Sequence, residues 1–313
     1  MLALPRPRRM SKETRRNLVA GLIFSSPFTL GFLAFTLYPM VASLVYSFQH
    51  YNGGGEQYGV QWRNYTYLFQ SDDQFHQAVF NTLYMVVLGV PLTLVVGFLS
   101  AVLLNLPVKG QAIYRSAFVL PAFLPLVPVA MLWNWMFSAE NGIVNYVLGF
   151  LHLPQPGWLI DPGWSKPSLI LLNLWTVGTV TIIYLAALQD VPEALYEAAE
   201  LDGAGWWSRL RHVTLPMVSS ASFFNLITGV VATFQIFATA YVITLNTYNQ
   251  NVVGQPQGSM MFYLIYLWQQ AFTYARIGYA SAMAWLLFVA IMIVTVALFI
   301  GSRRWVYYAG DAR

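Results

Sequence analysis

Residues 277–301, IGYASAMAWLLFVAIMIVTVALFIG, form an uninterrupted stretch without a charged side chain. A helix needs about 20 mainly apolar residues to cross the hydrocarbon core of a bilayer, which is roughly 30 Å thick, because it rises about 1.5 Å per residue. This stretch is therefore predicted to be a transmembrane helix. Other segments of the chain that are equally long, apolar and uncharged are predicted to cross the membrane as well.

Five further segments of the 313-residue chain share this character. Every Asp, Glu and Lys lies outside the six segments, and Arg115 at the edge of one is the only Arg within them. Only 9% of the residues are charged, whereas soluble domains carry about 25%. We therefore predict an all-α polytopic membrane protein with six transmembrane helices at 18–48, 78–106, 112–138, 167–189, 217–245 and 277–301.

Positive charge is concentrated on one side of the predicted spans. Thirteen of the 16 Lys and Arg residues lie on the side that holds both termini, and the other side has only Arg63, Lys166 and Arg276. Because cytoplasmic loops are enriched in Lys and Arg, the asymmetry predicts that both termini are cytoplasmic. The remaining segments are then a basic cytoplasmic tail (1–17), an extracytoplasmic loop (49–77), a cytoplasmic loop (190–216) and a second cytoplasmic tail (302–313).

Two shorter apolar segments lie between the spans. Residues 260–274 are too short to cross a membrane comfortably and are predicted to form an interfacial or re-entrant helix that leads into the last span. Residues 142–151 are predicted to form a short surface helix. Prolines within the spans, including Pro121 and Pro125, predict kinks. Such kinks either set the packing of the helices or open a cavity at mid-depth.

Several function classes have no residues to support them. The chain has no Cys, and it lacks the GxxxxGK[ST] loop that binds nucleotide phosphates. No Asp, Glu, Lys or His lies deep in a span, where proton-coupled carriers usually keep such residues. The net charge of +4 follows from the cytoplasmic segments and does not indicate nucleic-acid binding. We expect no cofactor, and any ATP that drives transport would be bound by a partner.

The cytoplasmic loop 190–216 holds five of the 12 acidic residues. Asp190 and Glu193 resemble a capping box, and Pro192 suits the first turn of a helix. Gly203 can end that helix, because glycine tolerates the left-handed backbone of a helix C-cap. A second helix is predicted over 206–212, and Pro216 is predicted to start the fifth span. The resulting helix–turn–helix is either a solvated loop or an element that docks on another protein.

This loop carries a specific motif. Glu197-Ala-Ala-x-x-Asp202-Gly203-Ala204, followed by Leu215-Pro216, resembles the EAA loop of the permease subunits of bacterial ATP-binding-cassette (ABC) importers. More narrowly, it is similar to the carbohydrate and glycerol-phosphate branch, the permeases like those of the maltose transporter. The resemblance covers nearly the whole chain and includes Ser26-Pro-Phe, Leu37-Tyr-Pro-Met, Asn64-Tyr, Asn81-Thr-Leu, Arg115-Ser-Ala-Phe-Val-Leu-Pro121 and Trp133-Asn-Trp-Met-Phe.

The resemblance implies a transport subunit of the bacterial inner membrane that is not itself an enzyme. Its partners would be a second, homologous permease subunit, two ATPase subunits and an extracytoplasmic solute-binding protein. In this family the EAA helix sits in a cleft of an ATPase and carries its motion to the spans. The resemblance assigns this coupling to Glu197, Ala198, Ala199, Asp202, Gly203, Ala204, Leu215 and Pro216.

The solute pathway is predicted from polar and aromatic residues within the spans. Hydroxyl, amide and aromatic groups suit sugars, and the lack of charged groups favours a neutral solute. Each residue has an alternative role, because polar side chains in spans often bond to a neighbouring helix. The candidates are Trp133, Asn134, Asn173, Trp175, Thr176, Thr233 and Gln235.

Two other functions compete with the importer subunit. A secondary, ion-coupled solute carrier would require internal inverted repeats, and none is evident. A membrane enzyme acting on lipid-linked sugars would require acidic or histidine clusters at a membrane face, and the acidic cluster of this chain lies in the EAA-like loop. The importer subunit is therefore the leading hypothesis, and the secondary carrier is its main alternative.

Overall fold

The computed structural model describes residues 12–55, 57–247 and 253–307, so the predicted cytoplasmic tails lie partly outside it. Its elements, numbered in chain order, are mostly helical. The helices are α1 (Lys12–Ser47), α2 (Arg63–Gln70), α3 (Asp73–Leu104), α4 (Gln111–Phe123), α5 (Leu126–Met136), α6 (Ile143–Phe150), α7 (Pro162–Trp175), α8 (Gly178–Gln189), α9 (Glu193–Leu201), α10 (206–217), α11 (Ser219–Phe234), α12 (Ala238–Thr247), α13 (Tyr263–Trp268, continued by Gln269–Thr273) and α14 (Ile277–Ser302), and the strands are β1 (Gln49–Tyr51) and β2 (Gln57–Gly59).

Four helical segments of the described chain are long and apolar enough to cross a membrane, and there are up to six such segments if each of two bent helix pairs is one span. Four are α1, α3, α14 and the run Ser219–Leu245, which spans α11 and most of α12. The other two are bent pairs of helices, α4 with α5 and α7 with α8, whose axes turn by 98° and 47°. The predicted all-α membrane fold is thereby confirmed, and it has six spans when each bent pair counts as one, with one small β-hairpin in addition.

The third span is not the single helix predicted over 112–138. Between α4 and α5, Leu124 and Pro125 adopt extended backbone conformations with ψ of 142° and 138°. A proline ring clashes with the helical conformation of the residue before it and pushes that residue towards extended geometry. The helix therefore stops before Pro125, and the span turns sharply where the sequence analysis allowed for a kink.

The fourth and fifth spans are also interrupted. The fourth begins earlier than predicted, at Pro162, and breaks between Trp175 and Gly178. The fifth, predicted as 217–245, breaks between Phe234 and Ala238. The ends of helices leave backbone N–H and C=O groups without intrahelical partners. Three of the six spans therefore present polar backbone part-way along their length.

The segment predicted as an extracytoplasmic loop is folded. β1 and β2 pair antiparallel, with His50 opposite Tyr58, and α2 follows them. The side-chain amide of Asn64 donates hydrogen bonds to the carbonyls of Ser47 (2.8 Å) and Gln49 (3.0 Å). One residue of α2 thus holds the end of the first span and the start of the hairpin together.

Residues 260–271 are buried or half-buried, which favours the re-entrant alternative over the interfacial one, whereas residues 272–274 at the end of the segment are exposed. Phe262 is completely buried. The Asn81 amide of α3 donates to the carbonyls of Gly258 (2.8 Å) and Met261 (2.9 Å), and its oxygen accepts a hydrogen bond from Lys166 Nζ (3.1 Å). The chain before α13 is thus anchored to two spans, α3 and α7, before it enters the last span.

A buried carboxylate joins three helices at this end of the molecule. Asp72 is 6% exposed. Its Oδ1 accepts a hydrogen bond from the Phe75 amide (2.9 Å) and caps α3, while its Oδ2 accepts from the hydroxyls of Tyr266 (2.7 Å) and Tyr279. Burying a charge is costly unless hydrogen bonds compensate it. Three donors do so here, and they fix α3, α13 and α14 relative to one another.

The exterior of the bundle is apolar. No residue of Lys12–Phe32 is buried, and Phe24 in that segment is 91% exposed. Contiguous apolar surface of this extent is covered by lipid or by another protein rather than by water. Together with the six spans, this surface confirms that the chain is a multi-pass membrane protein.

Replacing Asp72 by Ala should lower the thermal unfolding midpoint of the detergent-solubilised protein by several degrees. The change removes the acceptor for two buried tyrosine hydroxyls, and an unsatisfied buried hydrogen-bonding group costs about 1–3 kcal/mol. Asp73→Ala is the matched control, because the neighbouring carboxylate is exposed, and it should move the midpoint little. Equal midpoints for the two variants would show that the carboxylate does not hold this end together.

Candidate functional site

The loop 190–216, which the sequence predicts to be cytoplasmic and which is called the coupling loop after its predicted role, forms a tight helix–turn–helix. Gly203 follows α9 with φ of +77°, a left-handed conformation that L side chains rarely adopt. The amides of Gly203 and Ala204 donate to the carbonyls of Glu200 (3.0 Å) and Ala199 (2.9 Å). This is the hydrogen bonding of a helix C-cap that requires glycine at the turn, as the sequence predicted.

Two local predictions about the loop were wrong. Asp190 does not cap α9: it ends α8, and Pro192 occupies the N-cap position of α9 without a side-chain hydrogen bond. The second helix does not stop at 212. It continues to Met217, so that Pro216 lies inside it, and α11 of the fifth span begins at Ser219.

Side-chain contacts brace the two helices of the loop. The Tyr196 hydroxyl lies 3.0 Å from Thr214 Oγ1, which also donates to the carbonyl of Arg209 (3.4 Å). Arg209 forms an ion pair with Glu200 (3.4 Å), although the carboxylate is exposed and such a pair contributes little stability. The hydrogen bonds and the glycine turn make the loop a compact unit.

The predicted coupling residues lie on the accessible part of this unit. None of the eight is buried, and the Glu197 carboxylate has no hydrogen-bond or ion-pair partner among the described residues. Three large apolar side chains that were not predicted as part of the site lie beside them. Leu201, Trp206 and Trp207 are 90%, 57% and 66% exposed. Two adjacent Trp residues in a loop predicted to be cytoplasmic are the feature of the sequence that could have indicated an exposed apolar surface.

Arg115 connects the base of the loop to two spans. Its Nε donates to the Leu104 carbonyl at the end of α3 (3.2 Å). With the Gln189 amide oriented so that its oxygen faces the guanidinium, that oxygen accepts from both terminal nitrogens of Arg115, at 3.1 and 3.2 Å. Gln189 is the last residue of α8, directly before the coupling loop. The one charged residue inside a predicted span therefore ties α4 to the ends of α3 and α8 that lie next to the coupling loop.

A cavity of about 480 Å³ lies where the fourth and fifth spans are interrupted. Its lining has no charged side chain and is mostly apolar. The side chains of Asn173, Thr233 and Gln235 make no hydrogen bond with the described residues, whereas Thr176 Oγ1 donates to the Asn173 carbonyl (3.1 Å). Four of the seven predicted pathway residues border this cavity: Asn173, Thr176, Thr233 and Gln235.

The other three pathway candidates lie outside the cavity lining. The Asn134 amide donates to Thr247 Oγ1 (2.7 Å) and to the Ile243 carbonyl (3.3 Å), so it links α5 to α12. The rings of Trp133 and Trp175 pack edge to face with their centroids 5.8 Å apart. For Asn134 the geometry thus fits the alternative role of bonding a neighbouring helix.

Asn225 also borders the cavity and was missed by the sequence analysis. It is 2% exposed, and its Nδ2 makes no hydrogen bond of normal geometry with the described residues. Buried amides without a partner are rare. The clue in the sequence is that Asn225 is the only amide residue of α11, SSASFFNLITGVVATF.

The chain matches known proteins along most of its length. Residues 89–309 match the family described as "Binding-protein-dependent transport system inner membrane component". The probable ABC transporter permease protein YesP of Bacillus subtilis is 37% identical over 300 residues, which is 95% of each chain. The lactose transport system permease protein LacF of Rhizobium radiobacter is 30% identical over 290 residues, covering 91% of this chain and 95% of LacF.

A solved structure has the same fold. It is a bacterial ABC transporter involved in the import of the acidic polysaccharide alginate, and one of its chains superimposes with a TM-score of 0.78 at 24% identity. The superposition covers 94% of this chain and 98% of that one. The sequence matches span the coupling loop, the cavity and the apolar helices alike. The chain therefore belongs to the family of binding-protein-dependent inner-membrane transport components, the permeases of ABC transporters.

Proposed function

We propose that this permease admits a sugar or a related polyol through its cavity and is driven by a separate ATPase that engages the coupling loop. One observation carries the proposal: a compact, exposed helix–turn–helix is attached directly to spans that border an uncharged cavity. A movement of the loop would then change the shape of the cavity through the helices that connect them. ATP would be bound and hydrolysed by the partner, since the chain has no phosphate-binding loop.

The coupling loop has the chemistry of a docking element. Glu197 offers an unpaired carboxylate to a basic group of the ATPase, and Ala198 and Ala199 allow a close approach. Exposed Leu201, Trp206 and Trp207 supply apolar anchors, and aromatic residues of this kind dominate many protein interfaces. Asp202, Gly203 and Ala204 shape the turn, and Leu215 and Pro216 join it to the fifth span.

Movement of the loop has two routes to the spans. α10 leads into α11 with a break only at Val218, and α8 ends at Gln189, which Arg115 ties to α3 and α4. A displacement of the loop would therefore move α8 and α11 together. Both helices contribute residues to the cavity lining, so the displacement would change its shape.

The cavity favours a neutral polyhydroxylated solute. Its volume of about 480 Å³ is within the range of small-molecule sites, roughly 300–1,000 Å³. The amides of Asn173, Gln235 and Asn225 can both donate and accept hydrogen bonds, as sugar hydroxyls require. Relatives named for lactose and arabinooligosaccharide transport are 30% and 31% identical to this chain, which supports a sugar. The comparisons give no support to the alternative of a secondary carrier.

The assembly we propose has five protein subunits. A second, homologous permease completes the pathway, two ATPases engage the two coupling loops, and an extracytoplasmic binding protein delivers the solute. The family description itself names dependence on a binding protein. A related crystal structure contains an alginate transporter in complex with a periplasmic protein bound to an alginate pentasaccharide, and this supports the same arrangement here.

Gly203→Asp should leave the protein in the membrane but abolish ATP-driven uptake by the reconstituted complex. No atom lies within 4 Å of a Cβ built on Gly203, so the side chain has room. The penalty arises from the left-handed backbone, which costs about 1–2 kcal/mol for an ordinary L residue, and it would distort the turn presented to the ATPase. Uptake of radiolabelled solute into proteoliposomes measures the effect.

Gly205→Asp is the control for the added charge. Gly205 also has open space around a Cβ, but its φ of −67° suits any residue and it precedes α10, where Asp is a good N-cap. This variant should keep most of the uptake. Gly203→Asn should keep more uptake than Gly203→Asp, because Asn is the usual substitute for glycine at this C-cap position and adds no negative charge at the helix C-terminus. Normal uptake by a well-expressed Gly203→Asp variant would count against the role of the turn.

Gln235→Leu and Thr233→Val should each lower solute uptake several-fold while the complex still hydrolyses ATP. Each removes one neutral hydrogen bond to the solute, worth about 0.5–1.5 kcal/mol. Thr228→Val is the matched control, because Thr228 lies on the same helix, is exposed and does not border the cavity. The measurement is uptake at saturating solute-loaded binding protein. If both variants took up solute at the wild-type rate and preferred the same solutes as the wild type, the solute pathway would lie elsewhere.

A further inference from the structure

Basic side chains are scarce at the end of the molecule opposite the coupling loop. Arg63, Lys166 and Arg276 are the only Lys and Arg residues predicted on this side. Lys166 is engaged by Asn81 Oδ1 and lies 5.4 Å from the centre of the Tyr84 ring. Arg63 and Arg276 are exposed, and neither has an ion-pair or side-chain hydrogen-bond partner among the described residues.

These two arginines line the same pocket. The pocket has a volume of about 580 Å³ and lies between the β-hairpin, α2 and the start of α14. Tyrosines make up much of its wall, and the Arg276 guanidinium lies 5.9 Å from the centre of the Tyr274 ring. No acidic residue is among the described residues that line it.

The pocket is held in a fixed shape. Asn64 bonds the backbone on both sides of the junction between α1 and β1, and the His50 and Tyr58 rings stack with centroids 4.8 Å apart. α14 approaches the hairpin so closely that a Cβ on Gly278 would clash with the Gln49 carbonyl oxygen. The walls therefore belong to the ends of the first and last spans, and the two guanidinium groups are presented by a preorganised frame.

We infer that this pocket receives a carboxylate side chain of the extracytoplasmic solute-binding protein. The inference rests on the proposed function, in which that protein docks on the outer face. Two guanidinium groups without an ion-pair partner among the described residues attract an anion, and carboxylates are the anions that proteins supply. A binding protein anchored here would touch the first and last spans at once. An acidic solute is disfavoured as the occupant, because the lining of the central cavity is uncharged.

The test is the affinity of the solute-loaded binding protein for the complete transporter complex in zwitterionic nanodiscs, measured by biolayer interferometry at low and high salt. Arg63→Gln/Arg276→Gln should weaken binding about tenfold at low salt, because charged contacts at an interface act most strongly on association at low ionic strength. The variant should also lose most of the salt dependence that the wild type shows. Arg63→Lys/Arg276→Lys should keep much of the affinity.

Gln70→Glu/Gln74→Glu is the charge-matched control, because it changes the net charge equally on exposed residues outside the pocket. It should bind within about twofold of the wild type. Wild-type affinity and salt dependence in the Arg-to-Gln variant would overturn the inference. So would unchanged docking with a selective loss of acidic-sugar uptake, or a defect confined to nanodiscs with anionic lipid. A wild-type complex that neither binds a binding protein nor transports solute would instead overturn the proposed function.

Discussion

Lipid offers no hydrogen bonds to an open backbone, and the architecture of this permease follows from that constraint. A span that faces lipid must stay helical, whereas a span can break only where protein or a water-filled space satisfies the freed groups. Three of the six spans break here. Two of the breaks, after Trp175 and after Phe234, border the uncharged cavity. The breaks that weaken these helices therefore also supply the polar groups of the candidate solute site.

Charged groups are confined to the two ends of the bundle, and each end uses them differently. At the outer end, Asp72 and Lys166 join helices through hydrogen bonds, and Arg63 and Arg276 have no ion-pair partner among the described residues and line an open pocket. At the inner end, Arg115 is used within the bundle and Glu197 is left exposed. Engaged charges set the relative positions of helices, whereas the free ones are available to other proteins.

The coupling loop combines stiffness with a direct attachment. A helix cap at a left-handed glycine and the contact between Tyr196 and Thr214 fix its shape. A flexible loop would absorb the movement of an ATPase, but a stiff one passes it to the helices that continue from its two ends. Because α8 and α11 both line the cavity, a small displacement at the inner face can alter the solute site without a long chain of side-chain contacts.

The sequence alone determined the class of fold, the membrane-spanning helices, and the helix–turn–helix at 190–216 with its glycine turn. These features follow from local rules: uncharged length for a span, and positive φ for Gly203. It also found four residues of the cavity lining, because polar side chains such as Asn173 and Gln235 stand out in an apolar run. It did not predict the contact of Asn134 with a neighbouring helix, the places of Asn225 and Asp72, or the pocket that Arg63 and Arg276 share. Only the tertiary structure decided those, because composition cannot tell whether a polar group faces a neighbouring helix, a cavity or the outside. That choice depends on how residues more than a hundred positions apart are brought together.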